Sequence, residues 1–159
     1  MKRILVLTPL LAVSLVASNV LLAQASPFFG VWKLNLAKSK YSGEQAPQSA
    51  TRTVIELGSG ELVTVKAIRA DGSAVGYSYP SNFDGKDEPI SGTQPFGADT
   101  IVVKIVDANT HTAIEKKAGK TLVTSRAVVS KDGKVLTISA KGVNAQGQPV
   151  NTTTVWDKE

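Results

Sequence analysis

The sequence predicts an all-β fold, a single antiparallel up-and-down β-barrel of about ten strands. Segments rich in Val, Ile and Thr alternate with short turns such as DG at 71–72 and KDGK at 131–134. Glycine, aspartate and asparagine suit these turns because they tolerate the positive φ angles that tight hairpins require. Closure into a barrel is expected because it removes the exposed edges of so long a meander, and an open sandwich is the alternative.

The expected strands follow from the spacing of the turns. They lie near 29–36, 50–57, 61–70, 73–82, 86–91, 99–106, 110–117, 121–130, 134–143 and 149–157. The first strand alternates with period two and carries Trp32, Leu34 and Leu36 on one face, which we expect to point inward. After residue 25 no helical pattern of comparable quality appears.

The N-terminus has the pattern of a secretory signal peptide. Lys2 and Arg3 precede an apolar run at 4–22, and the small-residue sequence AQA ends at Ala25. A membrane-spanning helix is the alternative, but polar residues interrupt the run and no basic cluster follows it. We therefore expect cleavage after Ala25, one domain at 26–159, and a periplasmic or secreted protein.

Composition narrows the function classes. The formal net charge is +5, and loss of Lys2 and Arg3 reduces it to +3, with the remaining basic residues scattered among acidic ones. Nucleic acid is therefore not an expected partner, whereas peripheral contact with anionic envelope lipids is compatible with this balance. The chain has no cysteine, which excludes disulfides and thiolate chemistry. We expect a monomer whose fold depends on its core alone.

Two polar connections interrupt the regular meander. They are AKSKYSGEQAPQSA at 37–50 and ISGTQPFGAD at 90–99. Long connections in a tight meander serve either as lids and portals or as spacers, and the sequence leaves both open.

The two ends of the chain resemble a known group. FFGVWKLN at 28–35 is similar to the opening of the fatty-acid-binding proteins, and GKTLVTSR at 119–126, KGV at 141–143 and TTVWDK at 153–158 resemble their last strands. The chain thus resembles the calycins, the superfamily of lipocalins and fatty-acid-binding proteins. The resemblance implies a lipocalin-like barrel that encloses a small lipid-like ligand.

The resemblance also implies candidate residues. Arg126 falls where fatty-acid-binding proteins often place an interior arginine that binds a ligand carboxylate. The arginine and tyrosine that the family carries on its last strand are replaced here by Thr154 and Trp156. The family's helix pair after the first strand is not evident in 37–50, which lacks an apolar helical period.

The residues themselves suggest a ligand site of Trp32, Tyr77, Tyr79, Arg126 and Trp156. The two tryptophans lie on the first and last strands, which pair when a barrel closes, so their rings either fill the core or form a ligand floor. The tyrosines share one face of a strand with Phe83, as a cavity wall would require. Either face of the strand that carries Arg126 could be the interior one.

Catalysis finds little support in the sequence. His111 is the only histidine, and we expect it in an exposed turn. In a haem-binding barrel related to nitrobindins it would be the sole candidate for axial ligand, but we expect no cofactor and no metal. Asp87 and Glu88 point to opposite faces of a strand and cannot act together on one substrate.

The sequence therefore predicts an exported, non-enzymatic protein that encloses a small apolar or amphipathic molecule in its barrel. The alternative is an envelope structural or protein-interaction domain whose barrel is filled by its own side chains.

Overall fold

A computed structural model describes residues 25–42 and 45–159 of the chain. The expected signal peptide therefore lies outside the described residues except for Ala25, and so do Gly43 and Glu44 of the first long connection.

Eleven β-strands and one turn of 3-10 helix follow one another along the described chain. The strands are β1 (Gly30–Leu34), β2 (Ser49–Leu57), β3 (Gly60–Ile68), β4 (Ala74–Ser81), β5 (Glu88–Pro89), β6 (Ser91–Gly92), β7 (Thr100–Asp107), β8 (Thr110–Lys117), β9 (Lys120–Val129), β10 (Val135–Val143) and β11 (Pro149–Lys158). The 3-10 turn, Leu36–Lys38, follows β1 directly after Asn35.

The strands form one antiparallel sheet that curls into a nearly closed barrel. Its order is β5-β7-β8-β9-β10-β11-β1-β2-β3-β4-β6. The first and last long strands pair as expected, with Trp32 opposite Lys158 and Leu34 opposite Trp156. Between β4 and β7 the barrel is completed only by the short β5 and β6, which are joined by Ile90. The all-β fold and the single antiparallel up-and-down barrel are thus confirmed.

Two details of the first prediction are wrong. The single strand expected at 86–91 is divided, because β5 pairs with β7 while β6 pairs with β4 on the other side of the gap. Leu36 does not follow Trp32 and Leu34 into the interior, since the backbone leaves β1 after Leu34 and enters the 3-10 turn, where Leu36 is 40% exposed.

The strand directions define the two ends of the barrel. The connections at 58–59, 82–87, 108–109 and 130–134 lie at one end, which we call the floor, together with residues 26–29 before β1. The connections at 35–48, 69–73, 93–99, 118–119 and 144–148 lie at the opposite end, which we call the mouth.

Aromatic side chains close the floor. Trp32 is fully buried and donates a hydrogen bond from Nε1 to the backbone oxygen of Phe28, with 2.9 Å between the atoms. The buried Phe28 ring stacks on His111 at 3.8 Å between ring centroids, and Lys158 covers the Trp32 ring from outside. The segment before β1 is therefore part of the core.

No helix among the described residues is long and apolar enough to cross a membrane.

Candidate functional site

A cavity of about 620 Å³ lies inside the barrel and reaches the mouth. Residues of both long connections line it, among them Tyr41 and Pro47 in the first and Gln94 and Phe96 in the second. The described part of the first connection and the second connection thus lie at the entrance to the cavity, where a portal would be.

One wall of the cavity is built from small side chains. It belongs to β8, β9, β10 and β11, where six of the inward-facing positions carry alanine, serine or threonine. These positions are Ala113, Ser125, Ala127, Ala140, Thr152 and Thr154. Because short side chains cannot reach across the barrel, the interior stays open on this side.

Arg52 on β2 is the charged residue at the centre of the opposite wall. Its Nη2 donates a hydrogen bond to the phenol oxygen of Tyr79 at 2.9 Å, and its Nε is buried without an acceptor. Arg52 faces inward because it alternates with Thr51 and Thr53 and shares its face with Ala50 and Val54. The guanidinium stays charged at any ordinary pH.

The tyrosines Tyr77 and Tyr79 stand beside this arginine. They lie two residues apart on β4, both line the cavity, and their rings are stacked with centroids 6.4 Å apart. Burial raises the pKa of both phenols, and the opposing effect of Arg52 does not cancel it. Both hydroxyls are therefore protonated at neutral pH and can donate hydrogen bonds into the cavity.

Glu61 and His111 form a second polar group near the floor. The Glu61 side chain is 4% exposed, and burial raises its pKa even though the charge of Arg52 favours the ionised form. His111 Nδ1 lies 4.0 Å from Glu61 Oε1. Burial and the nearby charge of Arg52 lower the pKa of His111 to about 4, so its imidazole is neutral at pH 7.

His111 therefore corrects the expectation of an exposed turn histidine. It is 6% exposed, stacked on Phe28 and in edge contact with Phe83, although it stands at the second position of β8. The physical reason is that the floor segment folds over this strand start. Phe83, expected beside Tyr77 and Tyr79, lies beyond the end of β4 and packs onto the core there.

Glu115 and Gln94 meet at the mouth. Both are buried, and Gln94 Nε2 donates a hydrogen bond to Glu115 Oε2. Gln94 also accepts a bond from the backbone nitrogen of Ala98, so one side chain organises the connection at 93–99 and fastens it to β8.

The two tryptophans of the predicted site have different positions. Trp156 lines the cavity and donates a hydrogen bond from Nε1 to Thr154 Oγ1 at 2.9 Å. Trp32 does not line the cavity, since Phe28 and its other neighbours cover it completely. Trp32 therefore belongs to the packed floor, whereas Tyr77, Tyr79 and Trp156 face the interior space.

Arg126, whose orientation the sequence left open, points outward, so its place in the candidate ligand site is wrong. Its side chain is exposed, whereas Ser125 and Ala127 on either side of it line the cavity. The interior face of β9 also carries the buried Val123 and Val129, so period-two alternation sends Arg126 outward. The interior arginine is Arg52, on a different strand.

Sequence analysis missed Arg52, Glu61 and Glu115. A signal for the first was present, because Arg52 shares its strand face with the apolar Ala50 and Val54. Glu61 and Glu115 gave weaker signals, since each lies near one end of its strand, where a charged side chain is expected to reach solvent.

Among the described residues no group of three or more histidine, aspartate or glutamate side chains is placed to hold a metal ion.

No family model matches the chain. No curated protein matches it either. Among solved structures, one match is the zebrafish ileal bile acid-binding protein complexed with cholic acid, with 14% sequence identity, coverage of 84% of this chain and 100% of that chain, and a TM-score of 0.49. At this level the likeness says nothing about what this chain binds.

Proposed function

We propose that this chain is an exported binding protein that encloses a small apolar or amphipathic molecule in its barrel without chemical change. The observation that carries the proposal is the cavity of about 620 Å³. Ligand pockets for small molecules commonly measure about 300–1,000 Å³ and combine apolar walls with a few polar groups.

The lining of the cavity supports an amphipathic ligand. The wall opposite Arg52 combines alanines and small hydroxyl side chains with the apolar Ile138 and Trp156, and the mouth contributes Phe96 and Pro95. Covering an apolar ligand surface there is favourable by about 25 cal/mol per Å². Arg52, Tyr77 and Tyr79 group the one guanidinium of the inner wall and two phenols on one side of the cavity, so a ligand with one polar end fits best.

An uncharged fluorescent probe, Nile red, tests whether the cavity takes up such a molecule. Saturable fluorescence enhancement at one probe per chain is expected. Ala127→Phe should reduce probe affinity at least tenfold because the new ring occupies the cavity. The matched control is Val128→Phe, since Val128 is the next residue on β9 and is exposed on the outer face. Equal binding by both variants would refute an interior site.

Native mass spectrometry of protein purified from a bacterial periplasm tests for a natural ligand and for the monomer. A complex heavier than the chain by the mass of one small molecule supports the proposal, and mild activation should release that molecule. A clean unliganded mass together with no Nile red uptake would favour the alternative of an interaction domain.

Export is part of the proposal and rests on residues 1–25 alone. The intact mass of protein recovered from the periplasm should correspond to residues 26–159. Replacement of Ala25 by a bulky residue should block processing at this position, because the cleavage site requires small side chains. An unprocessed chain in the cytoplasmic fraction would overturn this part of the proposal.

One observation favours an interaction domain as a second candidate. Four large apolar side chains are exposed near the floor end of β2 and β7. They are Ile55 at 51%, Leu57 at 46%, Ile105 at 55% and Val106 at 53%. Replacement of Ile55 and Leu57 by threonine should leave Nile red uptake intact if the protein is a binding protein. If it is an interaction domain, the same variant should no longer co-purify with the partner protein that the wild type retains.

A further inference from the structure

Resting on the proposed binding function, we propose that the polar end of the ligand is an uncharged hydrogen-bond acceptor, such as a hydroxyl, ketone or ester oxygen, and not an anion. Three features of the cavity carry this inference: the open donors of Arg52, the carboxyls that already face it, and the charge balance of the lining.

The guanidinium of Arg52 requires an acceptor. Among the described residues its only hydrogen-bond partner is Tyr79, although a guanidinium has five N–H donors. Its Nε is buried and without a partner. A buried donor left without an acceptor costs free energy, so a ligand oxygen beside Arg52 would remove part of that cost.

Two buried carboxyls, Glu61 and Glu115, line the same cavity as Arg52. Glu61 is close enough to Arg52 for the two charges to influence each other, and it is 4% exposed. Glu115, 8% exposed, acts on the phenols of Tyr77 and Tyr79 that flank the arginine. An anionic head at Arg52 would therefore be repelled by carboxyl groups that water screens poorly.

The lining of the cavity as a whole also carries a negative formal charge. Its described residues include two arginines, Arg52 and Arg69, and three carboxyls, Glu61, Asp71 and Glu115, which gives a formal charge of −1 with His111 neutral. Arg69 and Asp71 interact with each other at the mouth. One interior arginine thus faces two interior carboxyls, and a neutral ligand leaves this balance unchanged.

The experiment compares two competitors of equal chain length, dodecanol and dodecanoate, in displacing Nile red at about pH 8, where dodecanoate is ionised. For the wild type we expect dodecanol to compete at a concentration at least tenfold lower. Glu61→Gln should reduce the ratio of the two inhibition constants at least threefold, because it removes the repulsion while keeping the side-chain shape. Using the ratio between variants cancels the different solubilities of the competitors.

Asp71→Asn is the matched control. It also removes one carboxylate from the lining, but Asp71 is exposed to solvent at the mouth, so its charge is screened and the ratio should change much less than with Glu61→Gln. Circular dichroism of each variant confirms that the barrel is intact.

The possible results separate this inference from the proposed function. If Nile red binds but dodecanoate competes better than dodecanol, or if Glu61→Gln leaves the ratio unchanged, the uncharged head is refuted and the binding function stands. If the wild type takes up neither Nile red nor either competitor, both proposals are overturned.

Discussion

Arg52 on β2 donates a hydrogen bond from its guanidinium to the phenol oxygen of Tyr79 on β4, across the intervening β3 and inside the barrel. The pair places a permanent charge and a neutral hydroxyl side by side on the wall of the cavity. This relationship makes the polar end of the site specific and identifies the residue whose loss should matter most.

Arg52→Met should weaken binding of an amphipathic ligand, because the variant keeps the length of the side chain and removes its donors. A lost hydrogen bond to a charged group is worth about 1.5–3 kcal/mol, so dodecanol affinity should fall about ten- to a hundredfold. Arg126→Ala is the control and should leave affinity unchanged, since Arg126 is exposed on the outer face of β9. Displacement of Nile red measures the affinity of both variants. Weaker binding by Arg126→Ala with unchanged binding by Arg52→Met would instead assign the polar end of the site to Arg126.

The positions of the strands could be predicted from the sequence because their signals are local. The turn at 131–134, for example, needs glycine at position 133, where φ is +71°, and β9 and β10 end and begin beside it. The division of the strand at 86–91 could not be predicted in this way. It depends on the closure of the barrel, which brings β4 and β7 to opposite sides of Ile90.

The orientation of Arg126 shows why the site was harder to predict than the fold. Both faces of β9 carry apolar residues, with Leu122 and Val128 on one and Val123 and Val129 on the other. Hydrophobicity therefore does not distinguish inside from outside, and only pairing with β8 and β10 does. His111 is a similar case, because its burial depends on Phe28, which is distant along the chain.

Phe28→Ala should destabilise the barrel, since the ring is 3% exposed and fills the floor beside Trp32 and His111. Removal of a buried phenylalanine ring costs about 3–5 kcal/mol through lost burial and the cavity left behind. Phe29→Ala is the matched control, because Phe29 is only partly buried and should cost less. Urea unfolding followed by tryptophan fluorescence measures both, and equal losses would contradict the role of Phe28 in the floor.

His111 should make the barrel less stable as the pH falls from about 6.5 to about 4. Its pKa in the folded state is about 4, below the ordinary value of 6.5. Between these two values the histidine of the unfolded chain is protonated while that of the folded chain is still neutral, so protons favour unfolding. Between pH 7.5 and 4.5 this linkage should remove about 2–3 kcal/mol from the free energy of unfolding. The groups that act on His111 are Glu61, Arg52 and Asp107, and the rings of Phe28 and Phe83 cover it.

The measurement of this effect requires a variant, because Glu61 acts in the opposite direction. Burial raises the pKa of Glu61, so its protonation favours the folded state as the pH falls. His111→Phe keeps a ring in the stack and removes only the histidine titration. The difference in unfolding free energy between wild type and variant should therefore move by about 2–3 kcal/mol in favour of the variant between pH 7.5 and 4.5. A pH-independent difference would show that His111 titrates normally.

Gln94 should control how fast a ligand enters and leaves. Its side chain bonds to Glu115 on β8 and to the backbone nitrogen of Ala98, and Phe96 of the same connection accepts a bond from the backbone nitrogen of Ala145. These contacts hold the connection at 93–99 over the mouth, so their loss should lower the cost of local opening.

In stopped-flow measurements, Gln94→Ala should therefore raise the dissociation rate of Nile red several-fold, whereas the unfolding free energy changes less than in Phe28→Ala. Gln146→Ala is the control. Gln146 also lines the cavity, from the connection at 144–148, but the hydrogen bond that it donates comes from its backbone. Its replacement should leave the dissociation rate close to that of the wild type. Equal acceleration in both variants would mean that the mouth opens without regard to the Gln94 contacts, and the connection at 93–99 would then be a spacer and not a portal.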